Sequence, residues 1–179
     1  MMLLCLVVPL LAACGGGKSK PHAAAATSTS STAPGLSRAD YVSQANAICD
    51  AAYKQIPDAA GSTDPAKYAD LASKSAAAFA QMQASLAGLS APSADRPAIN
   101  SGLIQFRQQV LDLLNAAVGP LQEAATHKDL TRARSLYAEL EAKVSPLQDT
   151  NDPFLASYGL ADHCEFFPSP RFARVGPTP

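Results

Sequence analysis

Tryptophan is absent from this chain, and aromatic residues make up only 6% of its 179 positions. The interior therefore has to be built largely from small side chains. Clusters of Lys and Arg are missing too. Basic residues number 14 against 15 acidic ones, whereas a surface that grips phosphate backbones needs grouped cations, so no nucleic acid partner is expected. No Gly-x-Ser-x-Gly elbow presents a nucleophile, no Gly-rich loop joins a strand to a helix around a phosphate, and no segment shows the strict alternation of a strand. A di-metal site in a helical bundle needs Glu-x-x-His pairs on facing helices, and the chain has none. The expectation is a protein that is not an enzyme and has no metal or dissociable cofactor.

What the chain does have begins with a short apolar run, Leu3 to Leu11, closed by Leu11-Ala12-Ala13-Cys14 and followed by Gly15-Gly16-Gly17. The run is far shorter than the ~20 residues of a membrane span and has the length of a signal-peptide core. Residues 1–13 read as a lipoprotein leader, with Cys14 as the residue that receives a diacylglycerol or palmitate-type lipid and becomes the mature N-terminus. No Lys or Arg precedes the run, which points to a start upstream of Met1 or to inefficient export. Residues 14–35, with Thr27-Ser28-Thr29-Ser30-Ser31-Thr32 at their centre, have too little apolar area to offset the entropy of ordering. They read as a flexible tether of about 25 Å end to end. Its Ser/Thr tract is also a candidate for glycosylation. His22 falls within it and is discounted as a ligand.

Residues 36–167 carry a repeating apolar pattern. Ser37-Arg38-Ala39-Asp40 resembles a capping box, and Tyr41, Ala45, Ile48, Ala52 and Ile56 follow at helical spacing until Pro57. Asp64-Pro65 opens a second helix with the stripe Tyr68, Ala72, Ser75, Phe79, Met82, Leu86 and Leu89. Ser93 or Asp95 is expected to cap a third, whose stripe is Ile99, Leu103, Phe106, Val110, Leu113 and Ala117, with a kink at Gly119-Pro120. Asp129 starts the last long helix, with Leu130, Ala133, Tyr137, Leu140, Val144 and Leu147 inside. The pattern is expected to break at Asp149 to Asp152 and to resume as a short helix from Phe154 to Tyr158, stopped by Gly159. Cys164 is then placed in an extended segment, and residues 168–179 in a disordered tail. The fold class is all-α: an up-and-down four-helix bundle with a short extra C-terminal helix and one disulfide.

Candidate chemistry is sparse. Glu123 and His127 are four apart beside a turn and read as a solvated helix end. His163-Cys164-Glu165 resembles a thiol or metal site, but a nucleophilic cysteine requires a free thiolate. The acids Asp40, Asp50, Asp70, Asp112, Glu139 and Glu141 fall mostly off the apolar stripes, where they suit a solvated face better than acid–base work. Phe79, Met82, Phe106 and Tyr137 are core residues first and the lining of an apolar pocket second. Of the four cysteines, Cys5 leaves with the leader and Cys14 takes the lipid. Cys49 and Cys164 remain, and outside the cytoplasm such a pair forms a disulfide.

Tyr41-Val42-Ser43-Gln44-Ala45-Asn46-Ala47-Ile48-Cys49 and Tyr158-Gly159-Leu160-Ala161-Asp162-His163-Cys164 resemble the two ends of a group of small secreted or lipid-anchored helical lipoproteins of high-GC Gram-positive bacteria. The resemblance spans about Leu36 to Cys164. It implies export and the Cys49–Cys164 disulfide, and it supplies no activity. His163 directly before the cysteine and the basic Arg171 and Arg174 beyond it are departures from that pattern. The expected function is that of a membrane-anchored extracytoplasmic lipoprotein, a non-enzymatic interaction or accessory module with an envelope protein as partner. The alternative is a binding protein for a small apolar ligand or lipid, whose ligand-binding residues are unknown.

Overall fold

The computed structural model describes residues 35–59 and 61–164. Cys14, the leader, most of the tether and the tail from residue 165 lie outside the described residues. Helix α1 (Arg38–Tyr53) is followed by α2 (Pro65–Ala87). A third helical run consists of α3 (Arg96–Ile99), a π-helical segment (Asn100–Gln105) and α4 (Phe106–Thr126). The long α5 (Leu130–Tyr158) and the single turn α6 (Ala161–Cys164) complete the domain. It is a helical bundle, and no strand occurs among the described residues.

The caps form as the sequence indicates. The Ser37 hydroxyl accepts from the Asp40 amide at 3.1 Å and donates to its carboxylate at 2.6 Å. Asp64 accepts from the Ala66 amide and Asp129 from the Arg132 amide, both at 2.9 Å. Each satisfies an N–H that an unprotected first turn leaves without a partner. Gly159 ends α5 at φ 83°, a left-handed conformation that costs glycine little.

Helix α1 is the shortest of the four main elements, so the bundle has two unlike halves. Around α1, the core joins Tyr41, Ala45, Cys49 and Ala52 to Phe79, Met82 and Leu86 of α2, and to Leu103, Val110, Leu140, Val144 and Leu155. Beyond its end, α2, α4 and α5 pack on one another through Tyr68, Leu71, Ala72, Leu121, Ala124, Ala133 and Tyr137, with Ala59 of the connecting loop closing the gap. The rings of Tyr68 and Tyr137 lie 5.7 Å apart there.

The disulfide joins Cys49 of α1 to Cys164 of α6, across 115 residues. Both cysteines are fully buried. In the chain-entropy account, a loop of that size contributes about 4–5 kcal/mol. That is a considerable share of a typical margin of about 5–15 kcal/mol. Beside the bridge, His163 and Asp50, the neighbours of the two cysteines, pair at 3.0 Å on the half-exposed surface.

Several expectations are corrected. Helix α1 stops at Tyr53, short of Ile56, and Cys49 rather than Ile48 faces fully inward. Neither Ser93 nor Asp95 supplies a side-chain cap to α3; Asp95 instead accepts from the Tyr158 hydroxyl at 2.8 Å. Helix α4 does continue past Gly119-Pro120 as the expectation of a kink rather than a stop required, with Leu121 and Ala124 beyond it buried in the core. No break occurs between Asp149 and Asp152. Helix α5 runs through Pro146 and Pro153, because Asn151, Leu155 and Tyr158 continue its buried stripe. The extra C-terminal helix is therefore not Phe154 to Tyr158 but the turn Ala161–Cys164, which takes Cys164 out of an extended segment.

The π-helical segment changes the phase of the third run. Its wider turn moves the inward face on by about one residue. Leu114 is buried where Leu113 was expected, and Arg107 and Leu111 join Phe106 and Val110 inside. Two contacts fix it. Gln83 of α2 donates to the Ile104 carbonyl at 3.0 Å, within the stretch where regular helical bonding is disturbed. Gly102 lies directly under the ring of Phe154, so close that a Cβ would sit 2.5 Å from its carbons. Gly102→Ala is therefore expected to cost about 1–3 kcal/mol through displacement of that ring. Gly119→Ala, with open space around the new methyl, should gain up to about 1 kcal/mol from helix propensity. Urea unfolding of the two variants checks the contrast.

Candidate functional site

The shifted phase places a guanidinium in the interior. Arg107 is 0% exposed and heads the fully buried side chains by volume. It lies among three helices. Nη1 donates to the hydroxyl of Tyr53 at the end of α1, at 3.2 Å. The guanidinium carbon stands 5.6 Å from the ring centroid of Phe79 on α2 and 5.5 Å from that of Phe106 on α4. Nε and Nη2 are buried and have no hydrogen-bond partner, and no acidic side chain among the described residues pairs with Arg107.

That arrangement is costly. A guanidinium does not escape burial by giving up its proton as a lysine can. Burying a charge requires a partner to offset lost hydration. The two rings supply cation–π attraction of about 0.5–2 kcal/mol each, less than the several kcal/mol of desolvation. Sequence reading missed Arg107 because a uniform 3.5-residue period puts Phe106 and Val110 inside and Arg107 at their edge. The signal lay in the alternative phase Leu103, Arg107, Leu111, Leu114, which a charged residue argues against.

A second feature lies at the other end of α1. Tyr41, Leu86, Leu89, Ile99 and Ile104 line an open groove of about 440 Å³, with Arg96 at its edge. Tyr41 is fully buried and its hydroxyl has no partner. Desolvation pushes its pKa up to about 12. Its ring meets that of Tyr158 edge-on at 6.2 Å, and Arg38 stacks over the other tyrosine at 4.3 Å. The chain enters this region under restraint: the Leu36 amide donates to the Ser90 carbonyl at 2.9 Å, and Gly35 leaves no room for a Cβ against the Ala91 carbonyl.

The sequence candidates scatter. Cys49 and Cys164 come together as a disulfide, which removes the thiolate that the His163-Cys164-Glu165 reading required. Glu123 and His127 are exposed. No group of His, Cys, Asp or Glu among the described residues is arranged to hold a metal ion. Asp40, Asp50, Asp70, Asp112, Glu139 and Glu141 are all exposed or half-buried, and desolvation pushes the Glu141 carboxyl up. Phe79, Met82, Phe106 and Tyr137 are core residues, the first and third of them flanking Arg107. Comparison with protein-family models, curated proteins and solved structures finds no match.

Two outcomes follow. Arg107→Met, which keeps the apolar stem and removes the unpaired charge, is expected to raise stability by about 1–4 kcal/mol in urea unfolding. Tyr41 has its folded pKa raised from 10.0 to about 12. Its contribution is complete below about pH 10 and is lost as pH rises from 10 towards 12, because the unfolded chain ionises first. Tyr41→Phe should leave neutral-pH stability within about 1 kcal/mol of the parent and flatten the decline above pH 10, as followed by circular dichroism.

Proposed function

We propose that the protein is a membrane-anchored extracytoplasmic lipoprotein whose helical domain acts by binding an envelope partner, without catalysis. The observation that carries this reading is the buried Cys49–Cys164 disulfide. A bridge of this kind forms in oxidising compartments, the destination to which Leu11-Ala12-Ala13-Cys14 directs the chain. The tether then ends at Gly35, where the first described residues are clamped against the loop after α2. A lipid on Cys14 would keep the folded bundle at the membrane. Among the described residues no helix is long and apolar enough to cross a membrane, so anchoring in this reading rests on the lipid. The resemblance to small lipoproteins of high-GC Gram-positive bacteria supports the same reading.

Cys14→Ala is expected to move the protein from the membrane fraction to the soluble extracytoplasmic fraction with its disulfide intact. Retention of the variant on membranes would sink the anchoring claim.

The groove at Tyr41 favours a second reading, a carrier for a small apolar molecule. About 440 Å³ falls within the range of about 300–1,000 Å³ for ligand sites, and Leu86, Leu89, Ile99 and Ile104 give it an apolar wall. Native mass spectrometry of the protein extracted from membranes is expected to show a co-purifying adduct in this case. Loss of the adduct on Ile104→Gln would place it in the groove.

A further inference from the structure

The pattern of filled and unfilled donors on Arg107 is informative in itself. A guanidinium has two edges that take a two-oxygen anion with parallel N–H bonds. One is formed by the two terminal nitrogens, and the other by Nε together with the terminal nitrogen on its own side, Nη2. Tyr53 occupies Nη1 at 3.2 Å. The two atoms left without partners are Nε and Nη2, which are the two members of the side edge. A side chain merely trapped in the core has no reason to leave one complete bidentate edge open while its remaining nitrogen is held by a hydroxyl.

We infer that Arg107 is the receptor for a small two-oxygen anion, a carboxylate or a phosphate monoester, bound bidentately through Nε and Nη2 within the bundle. The surroundings suit such a group. The rings of Phe79 and Phe106 hold the guanidinium plane from α2 and α4, and an apolar wall strengthens a charge-assisted pair relative to water. Tyr53 orients the fork from α1. The edge is closed in this state, both nitrogens being buried, so binding requires local opening. Tyr53 marks the way in, since it is half-buried at the last residue of α1, whereas Phe79 and Phe106 are 1% and 6% exposed. The π-helical segment ending at Gln105, two residues before Arg107, gives the same helix a second arrangement to draw on, and such segments recur at functional sites. This inference stands whether or not Cys14 carries a lipid.

The test follows the Nε–H cross-peak of Arg107 in a ¹⁵N correlation spectrum of the oxidised full chain, assigned with Arg107→Lys. Sodium benzoate and inorganic phosphate are added separately, with sodium chloride at matched ionic strength as control. The expected result is saturable movement of the Nε–H peak with one or both anions. Movement with benzoate alone assigns a carboxylate ligand, and with phosphate alone a phosphate. Melting temperature should rise with the same anion by about 3 °C or more at saturating concentration. Arg107→Lys, which cannot make the fork, should bind roughly tenfold more weakly, and Arg107→Met should show only the chloride effect. An Nε–H peak that neither anion moves beyond chloride overturns the proposal, as does an equal thermal response in Arg107→Met.

Discussion

The contact of Gly102 with the ring of Phe154 sets the geometry of the third helical run. Because Gly102 brings no side chain of its own against the Phe154 ring, the segment from Asn100 to Gln105 can lie close to α5 in a wider turn, which turns the following residues. That rotation buries Leu114 in place of Leu113 and carries Arg107 from the edge of the apolar stripe to full burial. It also brings the Ile104 carbonyl within 3.0 Å of Gln83, so that α2 supports the disturbed turn. Ile99 and Ile104, at its two ends, become walls of the groove beside Tyr41. One close approach thus decides the environment of both candidate sites.

The rest of the core has little with which to offset an error of this kind. Ala45, Ala52, Ala69, Ala72, Ala76, Ala78, Ala124 and Ala133 are all buried. Methyl groups let helices approach closely, but each removes far less apolar area from water than a leucine does. The disulfide makes good part of the deficit by restricting the unfolded chain rather than by adding contacts. It acts where the fold most needs closure: α1 is the short helix, and α6 pins it to the end of α5. Phe154 and Tyr158, stacked at 5.5 Å near that end of α5, face the π segment and α1 respectively, so the closure also steadies the Gly102 contact.

Much of this was legible in the chain itself. The caps at Ser37, Asp64 and Asp129 and the stop at Gly159 are local devices, dictated by a few adjacent residues, and they form as read. The stripes from Tyr68 to Leu86 in α2 and from Ala133 to Val144 in α5 follow a constant period and are buried as read, whereas Leu89, Leu130 and Leu147 are half-buried. Failure began where a long-range contact overrode local signals. Proline and polar residues at 149–153 argue for a break, yet the inward positions Asn151, Leu155 and Tyr158 keep α5 whole. The phase change at Asn100–Gln105 depends on Phe154, some fifty residues away, and no local pattern announces it. Arg107 was invisible for the same reason.

These considerations bear on why an unpaired cation persists in so thin an interior. Sequences agree across levels except where function demands otherwise, and although Tyr41 and Asn151 also bury atoms without partners, Arg107 leaves two. Gln83 Oε1 and two nitrogens of Arg107 lack partners on the facing sides of α2 and the third run, next to the π turn. A leucine or methionine at 107 would satisfy the shifted stripe without the two unpaired nitrogens. Retaining the guanidinium, aligning it with a tyrosine hydroxyl and framing it with two phenylalanine rings is coherent only if the open edge is completed part of the time. On that view the bundle is not an inert block. Its resting state is the unfilled form, destabilised at one position, and the free energy withheld there is what a ligand recovers on binding.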